Sequence, residues 1–242
     1  MGVYFNPNNE SYTQAKNSSI YIDKTGLLNE LNKRLSTENK CIALSHARRF
    51  GKSHAAGMVD AYYSLGCDSS NLFDGTEISE KEDYRKYMNQ YNVIHLDISS
   101  FWDFYKENIV EKIITYIYKD LKNAFGDELD DQDSISYVLM SVFKKTGKPF
   151  VIIIDEWDCV IRNSEDKELV HSYLQFLHSL FKSEESKAFL ALAYITGILP
   201  IKKIKDESAF VMHGGETVPS RSKKPCAYPG CPALVTGGTH DW

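Results

Sequence analysis

The sequence predicts an α/β fold built on a mostly parallel sheet with helices on both faces, and three observations point to it. Short apolar runs recur at 41–45, 92–99, 149–158 and 188–197, each bounded by polar or turn-forming residues as strands are. The segments between them repeat apolar residues every three to four positions, the helical period. The third run, "PFVIIIDEWD", is apolar on both faces, as a strand at the centre of a sheet covered by helices must be. Strands alternating with helices give a doubly wound sheet.

Taken in order, "YIDKTGLLNELNKRL" places Leu27, Leu28, Leu31 and Leu35 on one helical face. "CIALS" at 41–45 is a short strand, followed by a turn and a helix from about Lys52 to Leu65. "NVIHLDIS" at 92–99 is the second strand. "NIVEKIITYIYKDLKNAF" is an amphipathic helix that stops at Gly126, and "SISYVLMSVFKKTG" a helix with lysines in its last turn and a stop at Gly147. The third strand follows at 149–158, then the helix "DKELVHSYLQFLHSLF" and the fourth strand "AFLALAYITG" at 188–197. From Glu207 the chain becomes rich in Gly, Pro, Ser and Thr and loses its period. The expected organisation is therefore one domain at 1–206 and an irregular tail at 207–242, disordered, foreign or a partial zinc knuckle.

Bulk properties narrow the function. A chain of 242 residues can bury a sizeable core. Its net charge of -5, with 25% charged and 43% hydrophobic residues, argues against a protein devoted to coating nucleic acid. No run approaches the roughly 18 apolar residues of a membrane span, and "MGVYFNPNNESYTQAK" lacks a basic segment followed by an apolar one. A cytoplasmic location without membrane association is expected. The five cysteines suggest no disulfide framework.

The chemistry concentrates at two strand ends. In "LSHARRFGKSHAA" a loop leaves a strand and opens a helix, where backbone N–H groups and the helix N-terminus favour phosphate. Gly51 lets the chain hug an anion, Lys52 reaches the β and γ phosphates, and the Ser53 hydroxyl can ligate Mg²⁺. Arg48, Arg49, Phe50 and His54 complete the expected nucleotide-binding set. Alone, Gly-Lys-Ser is more often a basic turn, and His46 stands where a phosphate-binding loop has its first glycine. "VIIIDEWD" follows about 100 residues later. It has the pattern of a Walker B strand, in which Asp155 holds the Mg²⁺ shell and Glu156 orients or deprotonates the attacking water. Thr196 closes the next strand, where a γ-phosphate sensor would sit; a hydroxyl capping a strand end is the alternative. In this fold class ligands lie beyond the carboxyl ends of the strands, so Ser45, Asp97, Asp155 and Thr196 are expected to border one crevice. The fold class thus sharpens to a P-loop NTPase of the additional-strand type, ending after its sensor strand.

Together "YIDKTGLL", "ALSHARRFGKS", "AYYS", "VIIIDEWD" and "ITGILPI" resemble the AAA-ATPase-like domain of bacterial proteins, over about 1–206. Members of that family often carry a PD-(D/E)XK nuclease-like domain downstream. The family typically reads S-R-P-R-R-F-G-K-S, without the first glycine; His46 and Ala47 replace its Arg-Pro, while Arg48 to Ser53 match. Trp157 stands where the family has tyrosine, with Asp158 matching. The resemblance implies that Tyr21 to Lys24 lie near the adenine, whereas the residues themselves also allow a helix cap built on Asp23.

Other constellations are weaker. Arg48 and Arg49 suit phosphates, a neighbouring subunit's nucleotide or plain solvent, and Arg162 is a candidate arginine finger in a homo-oligomer. Tyr62-Tyr63 and Phe101-Trp102 suit helix packing better than base stacking. In the tail, Cys226 and Cys231 could offer two thiolates to zinc, with His213 and His240 nearby, although their spacing matches no zinc finger. That piece resembles the leading zinc knuckle of HNH endonucleases but lacks their catalytic residues. Three functions remain open: an ATPase using ATP and Mg²⁺, a nucleotide-dependent switch with little turnover, and a nucleic-acid-binding module using the tail.

Overall fold

The computed structural model describes residues 2–47, 50–126, 129 and 134–199. Arg48, Arg49, the boundary at 206, the tail and its Cys226 and Cys231 lie outside the described residues. Among the described residues four parallel strands form one sheet in the order β1-β4-β3-β2: β1 Cys41–Ser45, β2 Asn92–Asp97, β3 Phe150–Asp155 and β4 Leu190–Gly197. The last strand is thus inserted between the first and the third. β3 and β4 are buried along their whole length, and β1 is only half-buried at the edge.

Strand register levels the carboxyl ends. Leu44 pairs with Thr196, Ser45 with Gly197, and Asp97 with Asp155. Alternation then sorts side chains to two faces. Ile42, Val93, Val151, Ile153, Leu192 and Tyr194 pack under one layer, and Ile94, Leu96, Ile152, Ile154, Ala193 and Ile195 under the other.

The first layer holds α1 (Glu10–Lys16), α2 (Gly26–Asn32) and α3 (Lys52–Tyr63). α3 is buried almost all round, from Ala55 to Tyr63, as a helix enclosed between α1 and the sheet must be. The second layer holds α5 (Ile98–Tyr105), α6 (Ile109–Phe125), α7 (Ile135–Thr146), α8 (Cys159–Asn163), α9 (Lys167–Lys182) and the short α10 (Glu184–Phe189), while a one-turn α4 (Tyr84–Tyr87) packs against the first layer. In α6, Ile109, Ile113, Ile117 and Leu121 recur every four residues and are buried. α7 and α9 begin where Ser134 and Asp166 accept N–H bonds from their first turns.

Several boundaries differ from the sequence expectation, each for a local reason. The second strand stops at Asp97 rather than 99 because that carboxylate caps α5, accepting from Ser99 N and Ser100 N. The third stops at Asp155 rather than 158 because Glu156 turns left-handed, with φ 53°. The fourth begins at Leu190 rather than 188, since Phe189 ends α10, and the helix after the loop ends at Tyr63 rather than Leu65. α1, α4, α5, α8 and α10 were not legible as helices; all are short.

The outer edge of β2 is covered by the N-terminal segment. Phe5 bridges Ile94 antiparallel, His95 N donates to Tyr4 O at 2.9 Å, and Asn6 N to Val93 O at 2.8 Å. Asp120 of α6 fastens this strap by accepting Tyr4 N at 2.7 Å and Phe5 N at 3.1 Å. An edge strand left bare is an open template for pairing. Asp120→Ala leaves two poorly solvated donors without an acceptor, which costs about 1–3 kcal/mol. A lower denaturant midpoint and faster hydrogen exchange at the Tyr4 and Phe5 amides are the expected readouts.

Candidate functional site

The site is built at the level carboxyl ends, on the α3 side of the sheet. Gly51 precedes α3 with φ 71° and ψ 35°, a left-handed conformation that a side chain disfavours. A Cβ there would lie 2.6 Å from Lys24 Nζ. Lys24 in turn donates to Phe50 O at 2.8 Å, so the segment before α2 is tied to the loop. Burial holds the Lys24 ammonium below its ordinary pKa. Phe50 is 65% exposed and its ring stacks on His46 with centroids 6.1 Å apart. The first intrahelical bond of α3 is Ala55 N to Gly51 O, so the Lys52, Ser53 and His54 amides precede the hydrogen-bonded ladder, where anions bind. The Ser53 and His54 side chains are exposed.

Lys52 points inward and is only 9% exposed. Its ammonium donates to His46 O at 3.2 Å and Ala47 O at 3.3 Å, and lies 3.6 Å from Glu156 Oε1. The loop after β1 and the acidic pair after β3 therefore face each other on the same side.

Asp155 is 3% exposed. Its Oδ1 accepts the Thr196 hydroxyl from β4 and, at 3.1 Å, Glu156 N. Burial, and then the charge on Asp155, push the Tyr194 phenol up. Glu156 carries the strained backbone, a left-handed conformation that costs a non-glycine residue about 1–3 kcal/mol. Its Oε2 accepts from Arg162 Nη2 at 2.7 Å, and Arg162 Nε donates to Asp158 Oδ2 at 2.8 Å. Asp158, fully buried, also accepts Leu199 N at 2.9 Å and Ile198 N at 3.2 Å.

Lys52, Asp155, Glu156 and Thr196 are thus brought together, while Arg48 and Arg49 lie outside the described residues. Ser45 and Asp97, expected to border the crevice, stand level with Gly197 and Asp155 at the carboxyl ends, with their side chains bonded locally: Asp97 caps α5, and Ser45 donates to Ile198 O at 2.7 Å. Arg162, a candidate finger toward another subunit, is instead engaged within its own chain. Asp23 accepts Thr25 N and Glu77 N, each at 2.8 Å, so it pins two loops rather than capping α2 from the N-cap position. The capture of the β4 exit by Asp158 was missed by sequence reasoning; the four-residue spacing of Asp158 and Arg162 was its one readable trace.

Close approach fixes one more residue. A Cβ on Gly197 would lie 2.5 Å from Trp157 Cδ1 and Nε1 and 2.8 Å from Asp158 Oδ1. Gly197→Ala must displace the buried indole, and overpacking of this kind costs about 1–3 kcal/mol. A lower denaturation midpoint together with a shifted Trp157 emission is the expected result.

Curated protein sequences include no match to the chain. Among solved structures it is similar to one described as "Structure of the Aeropyrum Pernix ORC2 protein (ADPNP-ADP complexes)", with a TM-score of 0.38 and 13% identity. That alignment covers 82% of this chain and 46% of the other, so the chain spans less than half of that structure's length. A family model described as "Predicted AAA-ATPase" matches residues 10–205. With the additional strand β4 set between the loop-bearing β1 and the acidic β3, the chain belongs to the AAA-ATPase-like family and to its ATPase-like nucleotide-binding proteins.

Proposed function

We propose that this chain binds ATP together with Mg²⁺ and hydrolyses it at the carboxyl ends of β1, β3 and β4. The observation that carries the reading is the Lys52 ammonium, buried and 3.6 Å from Glu156, whose neighbour Asp155 is bonded to Thr196. An ammonium parked on two loop carbonyls can exchange them for phosphate oxygens, since its three protons rotate freely. The amides of Lys52, Ser53 and His54 would cradle the phosphates, with Gly51 giving the chain its close approach. Tyr21 to Lys24 would line the adenine, a role supported by the Lys24 tie to the Phe50 carbonyl.

The donors present fit Mg²⁺. Asp155 and the Ser53 hydroxyl are hard oxygen ligands, and Mg²⁺ bound to nucleotide commonly takes one or two protein oxygens, phosphates and waters. Thr196 and Glu156 N both donate to Asp155 Oδ1, so Oδ2 would be the oxygen to hold the cation. When bound, the ion neutralises charge on the β- and γ-phosphate oxygens. No group of three or more His, Cys, Asp or Glu able to hold a metal occurs among the described residues, and the zinc expectation at Cys226 and Cys231 falls outside them.

In the chemical step Glu156 would align a water with the γ-phosphorus and take its proton as the new P–O bond forms and the bond to the β–γ bridging oxygen breaks. Phosphoryl transfer asks a protein for little beyond positioning and charge stabilisation. One observation also favours the second reading, a switch with slow turnover. Glu156 is bonded by Arg162 and faced by Lys52, so its carboxylate is not free until nucleotide draws Lys52 away. No helix among the described residues is long and apolar enough to cross a membrane.

Calorimetry with ATP should show binding that weakens strongly when Mg²⁺ is chelated and that is lost in Lys52→Ala. Glu156→Gln should bind ATP like the wild type yet release phosphate about 10²-fold more slowly or worse. Equal phosphate release from wild type and Glu156→Gln removes the enzyme and leaves the switch.

A further inference from the structure

We propose that Arg162 is a positioning residue for the reaction, holding the Glu156 carboxylate in place while Lys52 leaves it for the incoming triphosphate; this inference rests on the ATPase reading above. The two oxygens of Glu156 are divided between two cations. Oε1 faces Lys52 at 3.6 Å, and Oε2 is bonded to Arg162 Nη2 at 2.7 Å.

The cations differ in how firmly they are held. Apart from Glu156, Lys52 is held by the neutral His46 and Ala47 carbonyls, which phosphate oxygens can replace, so an incoming triphosphate can draw it off the carboxylate. Arg162 has a second carboxylate instead. Its Nε is 2.8 Å from Asp158 Oδ2, and Asp158 is fully buried and fastened to Ile198 N and Leu199 N. A planar guanidinium bonded through Nε to one carboxylate and through Nη2 to another is held against swinging away with either partner. Departure of Lys52 therefore frees Oε1 alone, and Oε2 stays fixed. That leaves one oxygen directed at the space Lys52 vacates, where water would meet the γ-phosphate.

The backbone agrees with this assignment. Glu156 sits at φ 53°, which a glutamate does not adopt without compensation. Arg162 supplies part of it, and Cys159 N donating to Glu156 O at 2.9 Å closes the turn beneath. The same Asp158 joins this clamp to the segment leaving β4, directly beyond Thr196. Arg162 thus acts through Glu156 within its own chain, unlike a finger reaching a neighbour's nucleotide.

Steady-state ATP turnover of the full chain tests this with Arg162→Ala, Glu156→Gln, the combined variant and Arg162→Lys. Arg162→Ala should lower kcat about tenfold or more with KM and ATP affinity little changed, the pattern of a group that matters in the transition state. Added to Glu156→Gln it should lower kcat no further, because the group it positions is already disabled. Arg162→Lys should recover part of the loss, since one ammonium reaches one carboxylate but cannot fork between two. If Arg162→Ala does not fold, as judged by its thermal melt, the lysine variant alone and combined with Glu156→Gln carries the same comparison.

Losses that add in the combined variant, or a change confined to KM, overturn the inference. So does recovery of turnover on mixing Arg162→Ala with Lys52→Ala chains, which would place the arginine in a neighbour's site. Absence of wild-type turnover removes the ATPase reading and this inference with it, whereas wild-type turnover with additive losses removes the inference alone.

Discussion

The hydrogen bond from the Thr196 hydroxyl to Asp155 joins the two central strands at the point where the site begins. Both groups are out of water, and a buried carboxylate without partners would be strongly disfavoured. Each therefore needs the other. The bond requires β4 to lie beside β3, and β4 in turn lies beside β1, so it also sets the distance from the acidic pair to the loop. With β4 removed, the Lys52 turn and Glu156 would have no common frame.

Above that pair, charge is arranged as a chain of alternating sign: Lys52, Glu156, Arg162, Asp158. Its two ends differ. Asp158 is wholly buried and anchored to backbone amides, and Lys52 rests on two carbonyls that any phosphate oxygen could replace. A triphosphate entering at the Lys52 end thus breaks only the Lys52–Glu156 link of this chain of charges and leaves the other links standing. Because Asp158 accepts from Ile198 and Leu199, the same chain of charges ends on the segment by which the protein continues past β4.

Much of this was legible along the chain. The run "VIIIDEWD" announced a central strand because apolar residues on both faces leave no side for water. Gly51-Lys52-Ser53 announced a strand-to-helix turn because Gly tolerates the left-handed angle that the turn takes. The α5 helix escaped notice because it starts directly after β2, with Ile98 carrying the strand's apolar alternation one residue past Asp97, and only the Asp97 side chain, turned back onto Ser99 N and Ser100 N, marks the change. Asp97 and Ser45 were expected at the crevice by their position at strand ends, yet each found a nearby partner that satisfies it. Position along a strand states where a side chain starts, not what it bonds.

What the sequence determined by itself is the alternation of elements, the central burial of β3 and the two short motifs, since all three follow from local period and backbone preference. What only the tertiary structure decided is the insertion of β4 between β1 and β3, the partition of Glu156 between Lys52 and Arg162, and the hold of Asp158 on the exit of β4. The physical reason is one of range. Dihedral preference and hydrophobic period act over a few residues, whereas a charge is placed by whatever the folded chain brings within a few ångströms of it, from any distance in sequence.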